Sequence, residues 1–197
     1  MGKKYEFTGE TKVIGDVVLH QIKAVRDFAD VKAGDVGGWI ENEKKLSHVG
    51  NAWVSGDARV SGNARVYGNA RVSGNAEVYG NAEVYGNARV YGNAWVSGDA
   101  RVSGNARVSG NAWVAKKTHV FQIGPIGSRN GVTTFYRTKD NGIGVTCGCF
   151  NGSIDEFEKK VQKVYGEDKH GRVYALAIAM AREQIELDDE DVEAEND

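Results

Sequence analysis

The sequence predicts a mainly β protein built around a parallel β-helix, with a smaller unit at each end. A six-residue repeat runs without insertion through residues 50–115, in eleven hexads from GNAWVS to GNAWVA. Glycine opens every hexad, alanine is third and valine is fifth. The chain has 26 glycines and one proline, a composition typical of many tight turns within regular structure.

Each hexad is expected to form one short strand and one corner. Alanine and valine two positions apart, as in Ala52 and Val54, place both side chains on one face of a strand. The Gly-Asn or Gly-Asp pair that follows tolerates the positive φ of a sharp turn. A helix is excluded, because a glycine and a β-branched valine at every sixth position fit no helical stripe. The hexads therefore stack as coils, at the strand spacing of about 4.8 Å.

The segment Val54-Ser-Gly-Asp-Ala58 has an aliphatic residue followed four positions later by a small one. In this respect the repeat resembles the hexapeptide-repeat family. The resemblance implies a left-handed parallel β-helix in which three hexads make one triangular coil. Eleven hexads then give a little under four coils.

Stacking residues that lie three hexads apart sorts the outward-facing positions into three columns. They are Trp53, Arg71, Arg89 and Arg107; then Arg59, Glu77, Trp95 and Trp113; and then Arg65, Glu83 and Arg101. The first column places like charges one strand apart, where they repel, and could bind an anionic partner. The alternative is that its arginines fan into solvent or stack on aromatic neighbours. Tyr79, Trp95 and Trp113 on the second face predict a subunit contact or a dock for the C-terminal domain.

The flanking segments divide the remainder of the chain. Residues 1–49 predict an N-terminal β cap with two strands, and Ile40 and Leu46, six apart, indicate an imperfect first coil. Residues 116–187 predict a small α+β domain of order βββαα, with strands in THVFQIG, TTFYRT and GIGVTCGCF. Ser153 and Glu156 form a capping box before the first helix. Residues 188–197 predict an acidic disordered tail.

The C-terminal domain has its own candidate residues. Tyr136, Arg137 and Lys139 lie in one polar hairpin and are candidate binding residues. Cys147 and Cys149 are expected to be core thiols on one face of a strand, since a C-x-C pair without a second pair is a weak metal signal. No metal site and no cofactor are expected.

The repeat also raises the hypothesis of an acyltransferase, an activity common among hexapeptide-repeat proteins. By that resemblance such an enzyme uses a histidine near a coil junction and a protruding loop. The eleven hexads contain neither, and His48 and His119 flank them, where a histidine is expected to cap the coil. We therefore predict a protein that is not an enzyme, with an acyltransferase based on His48 or His119 as the alternative.

The stretches LHQIKAVRDFADVKAGDVGGWIENEKKLS and IGPIGSRNGVTTFYRTKDNGIGVTCGCF, with the GNARV repeats between them, resemble phage and prophage proteins of hypothetical function. The resemblance implies expression in the cytoplasm of a bacterial host. In that setting we expect a protein that binds a host component. One form of this hypothesis is a counter-defence protein that acts on a host defence protein or on its nucleotide signal. We expect a homo-oligomer, a trimer or else a dimer.

Charge and hydropathy restrict the partners. The net charge is −2, but nine carboxylates and no lysine or arginine lie between Glu183 and Asp197, so the preceding residues are at about +7. A small anionic ligand or a host protein therefore fits the body of the chain, and nucleic acid is a third hypothesis, which the acidic tail disfavours. No apolar run approaches the roughly 18 residues of a membrane span, and no export signal opens the sequence.

Overall fold

The computed structural model describes residues 2–187, so the predicted acidic tail lies outside the described residues. It confirms a mainly β fold with a parallel β-solenoid of about four turns, an N-terminal region and a small C-terminal domain that contains strands and two helices. Within residues 2–187 no helix is both long and apolar enough to cross a membrane.

The solenoid consists of eleven two-residue strands, one in each hexad. They are β4 (Trp53–Val54), β5 (Arg59–Val60), β6 (Arg65–Val66), β7 (Arg71–Val72), β8 (Glu77–Val78), β9 (Glu83–Val84), β10 (Arg89–Val90), β11 (Trp95–Val96), β12 (Arg101–Val102), β13 (Arg107–Val108) and β14 (Trp113–Val114). Parallel pairing joins residues eighteen apart, as in Arg71 with Arg89, so the three predicted columns are confirmed. The alanine and valine of each hexad are at most 1% exposed and form the interior.

The N-terminal region extends one of the three solenoid sheets. Strands β1 (Tyr5–Ile14) and β2 (Val17–Ala24) form an antiparallel hairpin, and β2 pairs with β3 (Val36–Ile40). Strand β3 then pairs in parallel with β5, which makes the sheet order β1-β2-β3-β5-β8-β11-β14. Ile40 lies beside Val60 and Leu46 beside Val66, twenty residues apart instead of eighteen. This stretch is thus a first coil with a longer period than the hexads.

The C-terminal domain has one strand more than the sequence predicts. Its antiparallel sheet contains β15 (Val120–Ile126), β16 (Gly131–Arg137), β17 (Ile143–Cys147) and β18 (Phe150–Ser153), followed by α1 (Ile154–Tyr165) and α2 (Lys169–Gln184). The predicted order βββαα is therefore wrong, and ββββαα is observed. The predicted single strand GIGVTCGCF is split because Gly148, at φ 59°, turns the chain back on itself.

The helices pack on this sheet through the residues that the sequence pattern selects. Ser153 and Glu156 form the predicted capping box of α1. Phe157 and Val161 of α1 are buried, whereas Val164 is 60% exposed. The second helix and its C-cap bury four residues: Tyr174, Ile178, Ala181 and Ile185.

The C-terminal domain covers the end of the solenoid. Ala112 forms an isolated bridge with Thr138, and the Lys139 amide donates to the carbonyl of Asn111 at 2.9 Å. The Arg107 amide donates to Thr134 Oγ1 at 3.0 Å. Backbone groups of the last coils are thus satisfied by β16 and the turn after it, which closes an end that would otherwise expose strand edges.

Candidate functional site

The most distinctive surface of the molecule is a groove along the sheet of β4, β7, β10 and β13. It has a volume of about 410 Å³ and is lined by Asp30, Arg71, Ser73, Arg89, Tyr91 and Arg107. We call it the arginine groove. Arg71, Arg89 and Arg107 lie in register on adjacent strands, so their Cα atoms are separated by one strand spacing of about 4.8 Å.

The two ends of the arginine groove are fixed by the flanking units. At the N-terminal end the Arg71 guanidinium pairs with the carboxylate of Asp30, in the loop between β2 and β3. At the other end Arg107 Nη1 donates to the carbonyl of Gly148, in the β17–β18 turn, at 3.4 Å. Arg89 lies between them, and its guanidinium has no hydrogen bond or ion pair with any of residues 2–187. The groove is therefore anchored at its ends and has an uncommitted cation at its centre.

The charge of the arginine groove is strongly positive. Three guanidiniums line it, and Asp30 is the one carboxylate among its lining residues in the described chain. Like charges on neighbouring strands are destabilising unless a counter-charge lies between them. Arg89 and Arg107 are exposed to solvent, which reduces the repulsion, but an anion bound along the ladder would remove it.

Three of the predicted binding residues are buried and cannot contact a ligand in this conformation. Trp53 is 4% exposed and packs edge-on against Phe28 at 5.4 Å and Tyr5 at 6.5 Å, so it closes the N-terminal end of the coil. Tyr136 and Arg137 are 2% and 3% exposed. Ligand binding by these three residues therefore stays a prediction, which their burial does not support.

The buried hairpin residues have structural partners instead. The Tyr136 hydroxyl lies 3.2 Å from Ser109 Oγ of the last complete coil and 3.3 Å from Asn151 Oδ1. The Arg137 guanidinium donates to Asn141 Oδ1 through Nε and Nη2, which holds the turn between β16 and β17. Both side chains thus join the C-terminal sheet to its own turn or to the solenoid.

The aromatic face of the solenoid, formed by Tyr79, Trp95 and Trp113, contacts the C-terminal domain. Such a contact is one of the two alternatives that the sequence left open. Trp95 and Trp113 stack with centroids 4.7 Å apart, and Tyr79 meets Trp95 edge-on at 6.1 Å. Lys139, the third hairpin candidate, lies over both indoles. All three aromatic side chains are half-buried, so part of the surface stays open to solvent.

The two histidines that flank the hexads both accept a backbone hydrogen bond. His48 Nδ1 accepts from the Lys4 amide at 3.2 Å, and its ring stacks on Tyr5 with centroids 4.2 Å apart. Burial lowers the pKa of His48, although Glu43 nearby acts in the opposite direction. His119 is 1% exposed, and its Nδ1 accepts from the Ala115 amide at 3.2 Å. Neither histidine lines the arginine groove.

The two cysteines differ from the sequence expectation. Cys147 is half-buried in β17, and its Sγ lies 3.2 Å from Thr133 Oγ1 and 3.6 Å from the Tyr174 hydroxyl. Cys149 lies in the turn before β18 and is exposed, so the two thiols do not share one face of a strand. The turn at Gly148, which the alternation pattern did not reveal, is the reason.

Three lining residues of the arginine groove, namely Asp30, Ser73 and Tyr91, are not among the residues predicted to bind a ligand. Ser73 follows Val72 in the hexad of Arg71, so the same eighteen-residue step that aligns the arginines could have placed it. Asp30 carries no such signal, because it lies in an irregular loop whose path depends on packing against the first coil.

Fold and site together define a parallel β-solenoid protein with a cationic groove along one face. The repeats match the family model described as YdcK Beta solenoid repeat at residues 52–68, 58–74, 64–80, 82–98 and 100–115. A segment of 39 residues is 51% identical to a protein of Escherichia coli (strain K12) named "Uncharacterized acetyltransferase YdcK". That match covers 20% of this chain and 12% of the relative.

Proposed function

We propose that this chain is a non-enzymatic binding protein that holds an anionic ligand in the arginine groove, with the solenoid as a rigid support. The observation that carries the proposal is the central guanidinium of Arg89, flanked at one strand spacing by Arg71 and Arg107. Guanidinium groups bind phosphate and carboxylate oxygens through two parallel hydrogen bonds. A regular row of them selects a ligand with several negative charges along its length.

The dimensions of the groove favour a ligand of nucleotide size. Its volume of about 410 Å³ falls within the usual range for small-molecule sites, roughly 300–1,000 Å³. Tyr91 contributes an aromatic ring beside the cations, which could pack on a base or another flat group. A ligand with two or more phosphate groups and one ring therefore matches both the charge and the shape.

We further propose a phage or prophage setting, in which the ligand or partner is a component of the host cytoplasm. The support is the resemblance of both flanks to phage and prophage proteins. A nucleotide signal of a host defence system fits the groove by its charge, and a host defence protein would have to present an acidic surface. We propose a homo-oligomer, a trimer or else a dimer, as the working assembly.

Calorimetric titration of the purified chain tests the groove directly. The ligands are inorganic triphosphate, ATP and the uncharged nucleoside adenosine, with a short DNA duplex as a fourth. We expect ATP and triphosphate to bind and adenosine to bind at least tenfold more weakly. Arg89→Gln should weaken the binding of both anions by about tenfold to a hundredfold, because a charged hydrogen bond contributes roughly 1.5–3 kcal/mol.

The matched control is Arg101→Gln, which removes an exposed arginine from the third face, where it pairs with Glu83 at 3.5 Å. It should leave anion binding within twofold. Equal losses in the two variants would show that binding depends on net charge alone and would contradict the groove. Tight binding of the duplex with a steep salt dependence would instead favour a nucleic-acid ligand.

An acyltransferase is the second candidate, and the observation that favours it is the match to a relative whose printed name includes acetyltransferase. In this reading His48 or His119 would act as general base. Both rings use Nδ1 to accept a backbone amide, which supports the capping role instead. Turnover of acetyl-CoA with a panel of amine and hydroxyl acceptors, lost in His48→Ala or His119→Ala, would establish the enzyme and overturn the proposal.

A further inference from the structure

A second cavity lies within the C-terminal domain, between α1 and the sheet that it covers. It has a volume of about 260 Å³. Its apolar lining includes Ile126, Val132, Phe150, Phe157, Val161 and Tyr174. This volume lies between an engineered cavity of about 150 Å³ that holds benzene and the roughly 300 Å³ at which drug-sized sites begin. The cavity therefore has room for a compact molecule of about ten non-hydrogen atoms.

The charged groups around this cavity are all of one sign. Arg129, in the β15–β16 turn, and Lys160, on α1, both line it, and no carboxylate is among its lining residues in the described part of the chain. Lys160 Nζ lies 5.5 Å from the centroid of the Phe150 ring, which keeps the ammonium at the apolar wall. Arg129 is exposed and makes no ion pair with any of residues 2–187. An apolar cavity with two cations beside it is complementary to an apolar body that ends in one anionic group.

Several contacts hold the floor of the cavity in place. The Tyr174 hydroxyl lies 3.6 Å from Cys147 Sγ, and burial, followed by the neighbouring thiol, raises the pKa of that phenol. A Cβ added to Gly127 would lie 1.9 Å from the Tyr174 hydroxyl, so the turn packs directly on this ring. The Tyr165 hydroxyl is held 3.0 Å from Ser128 Oγ. These contacts fix the Gly127–Gly131 turn and the rings of Tyr165 and Tyr174 relative to one another.

We propose that this cavity binds a small apolar carboxylate, such as a medium-chain fatty acid or an aryl-substituted short acid. The hydrocarbon part packs among Phe157, Val161 and Tyr174, and the carboxylate contacts Arg129 and Lys160. The cavity and the arginine groove lie on opposite sides of one turn, because Gly148 lines the cavity and its carbonyl accepts from Arg107 of the groove. The driving force is burial of apolar surface, and the two cations select the charged head group.

Titration of the isotope-labelled full chain with octanoate and phenylacetate, followed by two-dimensional NMR, tests this site. Octanamide and phenylacetamide, which keep the shape but lack the charge, are the ligand controls. We expect saturable shifts at Val161, Cys147 and the Gly127–Gly131 turn, and amides that bind about tenfold more weakly. Bound octanoate should also slow the alkylation of Cys149 by iodoacetamide, because that exposed thiol borders the cavity.

The double variant Arg129→Gln/Lys160→Gln should weaken the binding of octanoate by about tenfold. Lys159→Gln is the matched control, since Lys159 precedes Lys160 on the same helix, is exposed and does not line the cavity. Absence of shifts at 10 mM ligand, equal affinity for acid and amide, or equal loss in the control variant would each overturn the proposal. Arg89→Gln should leave octanoate binding intact, so failure of the groove and failure of the cavity are separable results.

Discussion

Lys139 Nζ lies 5.7 Å from the centroid of the Trp113 ring and 5.9 Å from that of Trp95. The lysine belongs to the turn after β16 and the tryptophans belong to the solenoid, so this contact crosses between the two units. A cation over an indole face is stabilised by the ring quadrupole, by about 0.5–1 kcal/mol at an exposed site. The backbone of the same lysine is fixed by the carbonyl of Asn111. The side-chain contact is thus presented by a rigid turn.

We expect Lys139→Ala to lower the free energy of unfolding by about 0.5–1 kcal/mol. Chemical denaturation in urea measures this, with the tryptophan fluorescence of the docked face as the probe. Lys159→Ala, at an exposed position on α1, serves as the control and should change stability by less than about 0.5 kcal/mol. If Lys139→Ala is as neutral as the control, the contact does not contribute to docking.

The eighteen-residue step explains why the solenoid could be predicted from the sequence. Each hexad supplies its own strand, corner and interior, so the columns follow from counting alone. This local consistency does not extend to the flanks. Trp53 fits the outward column by its number, yet Phe28 and Tyr5 from the N-terminal region cover it. A repeat pattern contains no information about which outward positions a separate unit will cover.

The site could be predicted in part for the same reason. Arg71, Arg89 and Arg107 were selected as one column, and the structure places all three in one groove. Asp30 and the Gly148 turn, which bind the outer two, come from irregular segments without period. Tyr136 and Arg137 were selected for their polar chemistry, but their buried side chains donate to Asn151 and Asn141, respectively. Composition alone does not separate a buried polar network from an exposed binding cluster.

Glycine is required at the solenoid corners for two reasons, a positive φ and the close approach of the next coil. A pair of substitutions can distinguish them. Gly80 has φ +64°, and a Cβ there would lie 2.8 Å from the amide nitrogen of Gly98 in the next coil. Gly110 has φ +66°, but nothing lies within 4 Å of an added Cβ. We expect Gly110→Ala to cost about 1–2 kcal/mol from the left-handed backbone alone. Gly80→Ala should cost about 1–3 kcal/mol more, from the backbone contact. Thermal and urea unfolding of both variants measure the difference, and equal losses would show that the corners relax freely.

The burial of Lys4 predicts that the free energy of unfolding rises in mildly alkaline solution. Its side chain is fully buried, and Nζ donates to the carbonyl of Ala52 at 2.6 Å. Burial, and then Arg26 and Arg71, lower the pKa of Lys4 from 10.5 to about 8. Between these two values the unfolded chain binds more protons than the folded chain, so the free energy of unfolding increases with pH. We expect an increase on the order of 1–2 kcal/mol between pH 8 and pH 10.

The measurement is urea unfolding at a series of pH values, with Lys4→Met as the comparison. The variant lacks the titrating amine and should show a flatter profile in this window. The range ends near pH 10 because burial raises the pKa of Tyr5 above its usual 10.0, which makes stability fall as pH rises beyond that value. Parallel profiles for the two proteins would contradict the assignment to Lys4.

We expect Asp30 to limit the proposed affinity of the arginine groove for anions, because its carboxylate pairs with Arg71 and lies at the groove wall. Asp30 is largely exposed, so the pair itself contributes little to stability. We expect Asp30→Ala to release Arg71 and to raise the affinity for inorganic triphosphate several-fold, while the free energy of unfolding changes by less than about 1 kcal/mol. Asp16→Ala, in the exposed β1–β2 turn, changes the net charge equally at a distant position. Calorimetry in low salt should show the gain in Asp30→Ala alone. A gain of the same size in both variants would mean that overall charge, and not the ladder of Arg71, Arg89 and Arg107, determines anion binding.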